Sequence, residues 1–234
     1  MKGKIIVLAA LISILVCGMP SISNAQEEET SSNMIEVEIE RANIKLEMSS
    51  SNDVETEYYG TGSDKIYNLI TSKDGNNYKI TINYIGTGIS PTLDDGGVLI
   101  KIPDRDIDLL SINGKLGSGI VLDDINIDGN IITENCAVRI SNKNSDNKIN
   151  IDSYRDNYKI DSEPILDDFE FKAKQSFVVF TFANQPTNLK FQLNDSFCNT
   201  KLPLDWSSDF TIGLGQPKMS VDVCECVFQL FANN

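Results

Sequence analysis

Between Ile107 and Asp161 the chain is assembled from short apolar–polar–apolar units: Leu110/Ile112, Ile120/Leu122, Ile125/Ile127, Val138/Ile140, Ile149/Ile151 and Tyr158/Ile160. Clusters of Asn, Asp and Gly separate many of them. Alternation sends successive side chains to opposite faces of a strand, and the polar clusters supply turns. A unit with two or three inward side chains cannot bury its own apolar face, but stacked units share a continuous core. Matching residues recur at intervals of 10 (Leu110 to Ile120), 18 (to Val138), 11 (to Ile149) and 9 (to Tyr158). Near-multiples of ten predict two faces in each coil of about 20 residues. The expected fold class is all-β: a single-stranded β-helix or solenoid-like stack of short strands. Short strands at this spacing also build an antiparallel sandwich, which suits the N-terminal part better.

Residues 34–106 form the expected N-terminal β region and 107–234 the β-repeat region. In the first, Ile35-Glu-Val37-Glu-Ile39 and Ile44-Lys-Leu46-Glu-Met48 alternate cleanly. Val54–Tyr59 reads as a further strand, with a turn at Gly60–Asp64. The segments Tyr67–Thr71 and Tyr78–Tyr84 flank Lys73-Asp-Gly75-Asn-Asn77, a hairpin signal because Asp-Gly and Asn-Asn tolerate positive φ. The turn-rich stretch from Gly86 to Gly97 reads as a surface loop or a seam. In the second region the run Phe177-Val-Val-Phe-Thr-Phe182 is apolar on both faces, which predicts cover on both sides or closure of the stack. Trp206 reads as a plug in an irregular bend.

The N-terminus reads as an export signal over residues 1–25. Lys2 and Lys4 precede the apolar run Ile5–Val16, Pro20 breaks it, and Ser23-Asn24-Ala25 offers small residues for cleavage after Ala25. Cys17 would be a lipid acceptor, but Val16 stands where a small residue belongs. Residues 26–33 read as a flexible acidic lead-in. The expected location is secreted or cell-surface associated, with no transmembrane helix in the mature form.

The net charge of −14 opposes binding to nucleic acid or to an anionic membrane surface, both of which need clustered Lys and Arg. The chain has no histidine. That removes Ser-His-Asp and Cys-His catalysis together with the commonest zinc ligand.

Val98-Leu-Ile-Lys-Ile-Pro103, Leu110-Ser-Ile112, Gly117-Ser-Gly119-Ile-Val-Leu-Asp-Asp-Ile125 and Gly213-Leu-Gly215-Gln-Pro-Lys-Met-Ser-Val221 are similar to the repeats of the bacterial putative-adhesin domain family of unknown function. Two departures stand out: no turn glycine near Cys224-Glu-Cys226, and central turns that use Asn and Asp in place of Ser-Gly. The resemblance implies a stacked-strand, β-helix-like fold at or outside the cell surface. It implies no enzymatic activity and no defined ligand.

Candidate sites are few. Asp124-Ile-Asn126-Ile-Asp128-Gly129 has the alternate oxygen ligands and the glycine that open a calcium loop. The closing acid is out of place, since Asn135 stands at that position and Glu134 misses by one. Solvated strand residues are the competing reading. The pairs Asp94-Asp95, Asp123-Asp124 and Asp167-Asp168 would serve a carbohydrate-active enzyme only if they converged across a groove. Cys198, Cys224 and Cys226 are disulfide candidates, with a bridge from Cys198 to Cys224 or Cys226; Cys136 completes the set after residue 25. Cys224 and Cys226, two apart on one expected strand, would face the same way. Tyr58, Tyr59, Tyr67, Tyr78 and Tyr84 would form an aromatic strip for sugar rings if they lay on one face. The expected function is non-enzymatic: adhesion or scaffolding toward a protein or glycan at the cell surface. The alternatives are a β-helix enzyme using paired Asp and a cell-envelope sensor.

Overall fold

The computed structural model describes residues 33–88, 92–104, 107–143 and 147–233. The expected signal peptide, and the lead-in as far as residue 32, lie outside these residues. In chain order the strands are β1 (Met34–Glu40), β2 (Asn43–Ser49), β3 (Glu55–Tyr59), β4 (Tyr67–Asp74), β5 (Asn77–Tyr84), β6 (Gly97–Pro103), β7 (Leu109–Lys115), β8 (Gly119–Asp123), β9 (Asp128–Glu134) and β10 (Ala137–Asn142). They continue as β11 (Ile149–Tyr154), β12 (Asn157–Ser162), β13 (Phe169–Lys174), β14 (Phe177–Phe182), β15 (Leu189–Ser196), β16 (Asn199–Lys201), β17 (Asp209–Ile212), β18 (Lys218–Cys224) and β19 (Val227–Ala232). Among the described residues one short helix, α1 (Ser63–Ile66), begins in the predicted turn after β3 and runs two residues past it.

The protein is all-β, with two large mixed sheets that do not close into a barrel. The first has ten strands in the order β17-β15-β18-β13-β11-β9-β7-β1-β5-β4. The second has nine, in the order β16-β19-β14-β12-β10-β8-β2-β6-β3. From β7 to β14 consecutive strands alternate between the sheets, and each of β7 to β12 pairs in parallel with the strand two places on. Ile112 lies opposite Ile131, Ile131 opposite Ile151, and Ile151 opposite Phe171. In the second sheet Ile120, Val138, Tyr158 and Val178 form the matching row. We call each pair of strands, one per sheet, a rung.

Both ends depart from this order in the same way. The rung β1/β2 lies between the central rungs and the strands β3 to β6, which follow it in sequence. The last rung, β18/β19, is inserted between β13/β14 and the earlier strands β15 and β16. Antiparallel pairs finish the edges: β4 with β5, β3 with β6, and β17 with β15. The predicted hairpin around Gly75 is the β4–β5 pair. The regions 34–106 and 107–234 share both sheets through β1–β7 and β2–β8.

Two expectations need correction. Ile125 and Ile127 are not a strand; they line the turn between β8 and β9, with both side chains buried. Their period-2 pattern marks inward side chains without ladder pairing. The outer side of β14 is not covered among the described residues, where Phe177 stays 43% exposed. Its inner side, Val178, Phe180 and Phe182, is buried as alternation requires.

The core between the sheets is aliphatic around β1, β2, β6, β7 and β8, bordered by Tyr67 and Tyr78 of β4 and β5, and aromatic from β12 onward. Tyr158 and Phe171 meet edge-to-face at 5.4 Å, Phe169 and Phe180 at 5.5 Å, and Phe180 and Phe182 lie 4.9 Å apart. Trp206 continues this row, 6.3 Å from Phe182, 5.6 Å from Phe191 and stacked at 4.6 Å on Phe210. It plugs the C-terminal end, as its place in the bend predicts. At the other end, Asn43 donates to the carbonyls of Thr92 (3.0 Å) and Gly96 (2.9 Å), so the 92–96 turn folds over the first rung.

Seven of the crossings from the first sheet to the second pass through a non-glycine residue in the left-handed region, which at Leu116 is followed by a second, Gly117 (φ 81°). Arg41, Leu116, Asn135, Arg155, Gln175, Phe197 and Glu225 all have φ between 53° and 58°. None is glycine. Hydrogen bonds along the stack hold them: Leu116 N–H to Glu134 O (3.1 Å), Asn135 to Tyr154 O (2.9 Å) and Arg155 to Lys174 O (2.9 Å). An L-residue in this region costs about 1–2 kcal/mol. Leu116 is 53% exposed, so little packing is lost on truncation. Leu116→Gly is therefore expected to stabilise the protein by about 0.5–1 kcal/mol in urea denaturation, after the larger unfolded-state entropy of glycine is subtracted.

Candidate functional site

The left-handed crossing turns the next inward residue into the corner between the sheets. The corner column runs Ala42, Ser118, Cys136, Asp156, Ser176, Cys226, Cys198 in spatial order. At each step a main-chain N–H reaches the side chain of the next rung. Ala42 N–H donates to Ser118 Oγ (3.4 Å), Cys136 to Asp156 Oδ1 (2.6 Å) and Asp156 to Ser176 Oγ (3.1 Å). Ser176 N–H then donates to Cys226 Sγ (3.4 Å), and Cys226 N–H to Cys198 Sγ (3.3 Å). A buried N–H needs an acceptor, and a short side chain ending in oxygen or sulfur supplies one without filling the corner. That is why Ser, Cys and Asp recur here.

Asp156 is the acid of the column and is 4% exposed. Besides the Cys136 N–H, its carboxylate accepts from Thr133 Oγ1 (2.7 Å), Ser153 Oγ (2.8 Å) and Tyr154 N–H (3.0 Å). Burial lifts its carboxyl above the usual range, against the pull of those donors. Burial first, then the Asp156 charge, pushes the Cys136 thiol up to about 12, so it stays protonated and unreactive. Tyr158 is pushed up by burial as well; its hydroxyl lies 2.7 Å from Thr133 Oγ1 and closes the network.

At the opposite corner, acidic residues cap main-chain groups of the neighbouring rung. Asp124 Oδ1 accepts from Lys143 N–H (2.8 Å) and Asp128 Oδ1 from Lys148 N–H (2.8 Å). Asp168 Oδ1 accepts from Lys218 N–H (2.8 Å) and Asp108 Oδ2 from Asn33 N–H (2.9 Å). Thus Asp124 and Asp128, the two carboxylates of the calcium pattern, each hold a different backbone group, and Asn126 is exposed beside them. Among the described residues no group of three or more acidic or cysteine side chains is placed to hold a metal ion.

The three acid pairs occupy separate places. Asp94 and Asp95 lie in the loop at the starting end of β8, where Leu93 faces Gly119, and Asp94 is 3.8 Å from Arg139. Asp123 and Asp124 stand at the finishing end of β8. Asp167 and Asp168 line a depression of about 610 Å³ at the C-terminal end, with Lys190 and Lys218. The five tyrosines are divided too. Tyr67 and Tyr78 are in the core, whereas Tyr58 is 40% exposed and the Tyr59 hydroxyl donates to Leu93 O at 2.9 Å. Antiparallel alternation in β4 and β5 turns the first two inward, so no aromatic strip forms.

The cysteine expectation is corrected in one respect. Cys224 and Cys226 do not share a strand, because Glu225 is the left-handed crossing residue between them. Cys224 ends β18 on the outer side, opposite Ser196, and Cys226 turns into the corner beside Cys198. All four cysteines of the described residues are free thiols in the structure.

What remains accessible is the outer face of the first sheet. Parallel register lines its outward side chains into rows, of which two are polar throughout except at Ile132. One runs Glu36, Ser111, Asn130, Asn150, Glu170, Ser220, Gln192, and its neighbour runs Glu38, Asn113, Ile132, Asp152, Lys172, Asp222, Asn194. Asn150 donates to Asn130 at 3.0 Å, and Lys172 pairs with Glu170 at 2.8 Å, which holds the Glu170 carboxyl below its usual range. The rows end in a depression of about 410 Å³ lined by Glu170, Lys172, Gln192, Asn194, Ser220 and Asp222. The outer face of the second sheet differs. Phe177, Val179, Val227 and Phe231 make a small apolar area there, with Lys201 4.8 Å over the Phe231 ring. Sequence reading missed both the corner column and these rows. The column had a signal: Cys136, Asp156 and Ser176 stand 20 apart, each just ahead of an alternating strand.

No family model matches the chain, and no curated protein matches it. Among solved structures the chain is similar to a putative cell adhesion protein from Clostridium sporogenes, at 10% identity and a TM-score of 0.44, over 86% of this chain and 94% of that one. No helix among the described residues is long and apolar enough to cross a membrane.

Proposed function

We propose that the chain is an exported, non-enzymatic β-solenoid with an adhesive or scaffolding role. Its outer first-sheet face holds a protein or glycan partner at the cell surface. The observation that carries this reading is the register of that face. Parallel strands sit about 4.8 Å apart, so rows such as Glu36-Ser111-Asn130-Asn150-Glu170 offer hydrogen-bonding groups at a constant interval along a stiff surface. An extended partner gains from this spacing because the side chains are already ordered by their neighbours, which lowers the entropy lost on binding. Many moderate contacts in a row then replace one deep pocket.

The test is retention of the protein on an array of glycans and matrix proteins. One ligand class should be retained, and Asp152→Lys, in the middle of the face, should weaken retention on the order of tenfold or more. Lys159→Glu, outward on the second sheet, should leave it unchanged. Silence across the array, or equal effects of the two variants, would refute the proposal.

A further inference from the structure

The corner column ends in two thiols that the sequence separates by 28 positions and the fold makes neighbours. Cys226 follows the last rung's crossing residue, and Cys198 follows the same crossing in the C-terminal cap formed by β15, β16 and β17. The strands on either side fix them in register: Ser196 opposite Cys224 and Asn199 opposite Val227. Cys198 Sγ lies 3.3 Å from Cys226 N and 3.4 Å from Val223 O, so it reaches across to the other rung. In-register residues of adjacent strands are about 4.8 Å apart at Cα, within the span that a disulfide bridges. Cys224 is excluded from the pair because the left-handed Glu225 sends it to the other side of the turn.

We propose that Cys198 and Cys226 form a disulfide on export, and that this bond staples the C-terminal cap to the final rung. Cys198 is half-buried at the outer end of the column, next to the 93% exposed Phe197, so an oxidant reaches it first. The Cys198 thiolate attacks a low-molecular-weight disulfide, such as oxidised glutathione, and one thiol leaves. Cys226 then gives up its proton and attacks Cys198 Sγ, and the second thiol leaves. Two protein thiols are oxidised and one external disulfide is reduced to two thiols. Burial raises the Cys226 thiol, which disfavours Cys226 as the first attacker and leaves that step to the more accessible Cys198. Bond formation replaces the Cys226 N–H···Sγ contact with a covalent link at the same corner. Cap residues between the two cysteines are then tied at both ends.

The experiment is peptide mapping of the full chain after equilibration with oxidised and reduced glutathione, without further reductant. The expected product is one linked pair of peptides carrying Cys198 and Cys226, with Cys136 and Cys224 alkylated. Reductant should lower Tm on the order of 5–10 °C in the wild type. Cys198→Ser and Cys226→Ser should each remove that response and still fold, because Ser176 shows that serine fills this column position. Cys224→Ser should keep the response. A linked peptide containing Cys224, alkylation of Cys136, Cys198, Cys224 and Cys226 alike after oxidation, or a reductant response that survives Cys198→Ser would overturn the inference. None of these outcomes depends on what the outer face binds.

Discussion

Asp156→Ala is expected to destabilise the protein by about 3–5 kcal/mol, because each buried donor left without an acceptor costs about 1–3 kcal/mol. The substitution strands the N–H groups of Cys136 and Tyr154 and takes one acceptor from the hydroxyls of Thr133 and Ser153, which keep their contacts to Tyr158 and Ser176. Against a typical total stability of about 5–15 kcal/mol, that is a large share. Urea denaturation of the two proteins measures it, and a loss below about 1 kcal/mol would mean that the column is not what fixes the corner. Asp156→Asn keeps a carboxamide oxygen for the Cys136 N–H and should cost less.

The same residue has a pH signature. Burial places its folded-state carboxyl above the unfolded value. The sign follows from linkage: protonation is favoured by folding, so this contribution is whole below the unfolded pKa and fades as pH rises through the folded one. Asparagine does not titrate. The stability gap between wild type and Asp156→Asn should therefore narrow as pH rises from the carboxyl range toward neutrality. A gap that widens over that interval would show the four donors outweighing burial.

The second large effect is expected at Phe180, which is 1% exposed and packs on Phe169 and Phe182. Phe180→Ala removes a ring from the middle of the aromatic row and should cost about 3–5 kcal/mol, transfer and cavity terms together. Its neighbours are themselves rings held by strand register, so the site collapses poorly. Ile112→Val, in the aliphatic half, should cost only about 0.5–1.5 kcal/mol. Denaturant midpoints at equal m values would separate the two; similar losses would mean that the aromatic half is no more tightly committed than the aliphatic one.

Several elements were legible in the residues. Alternation marked the strands of rungs such as Val138/Ile140 and Tyr158/Ile160, and the interval near 20 matches the register offset of neighbouring strands in one sheet. The hairpin at Gly75 and the place of Trp206 were readable for local reasons: turn chemistry in one case and a bulky ring in an irregular bend in the other. The pattern failed at Ile125 and Ile127, because inward-facing side chains recur every second residue in an extended turn as they do in a strand.

The sequence by itself determined that the protein is all-β, since period-2 alternation needs no knowledge of distant partners. It also determined which side chains face inward along most strands. Only the tertiary structure decided the order at the two ends, where β1/β2 and β18/β19 sit inside the strands next to them in sequence. No local signal encodes that insertion, because strands of equal length and similar pattern pair equally well until the whole stack closes. The same long-range choice makes a corner column of scattered Ser, Cys and Asp residues, turns four scattered acids into backbone caps, and sets Cys198 beside Cys226.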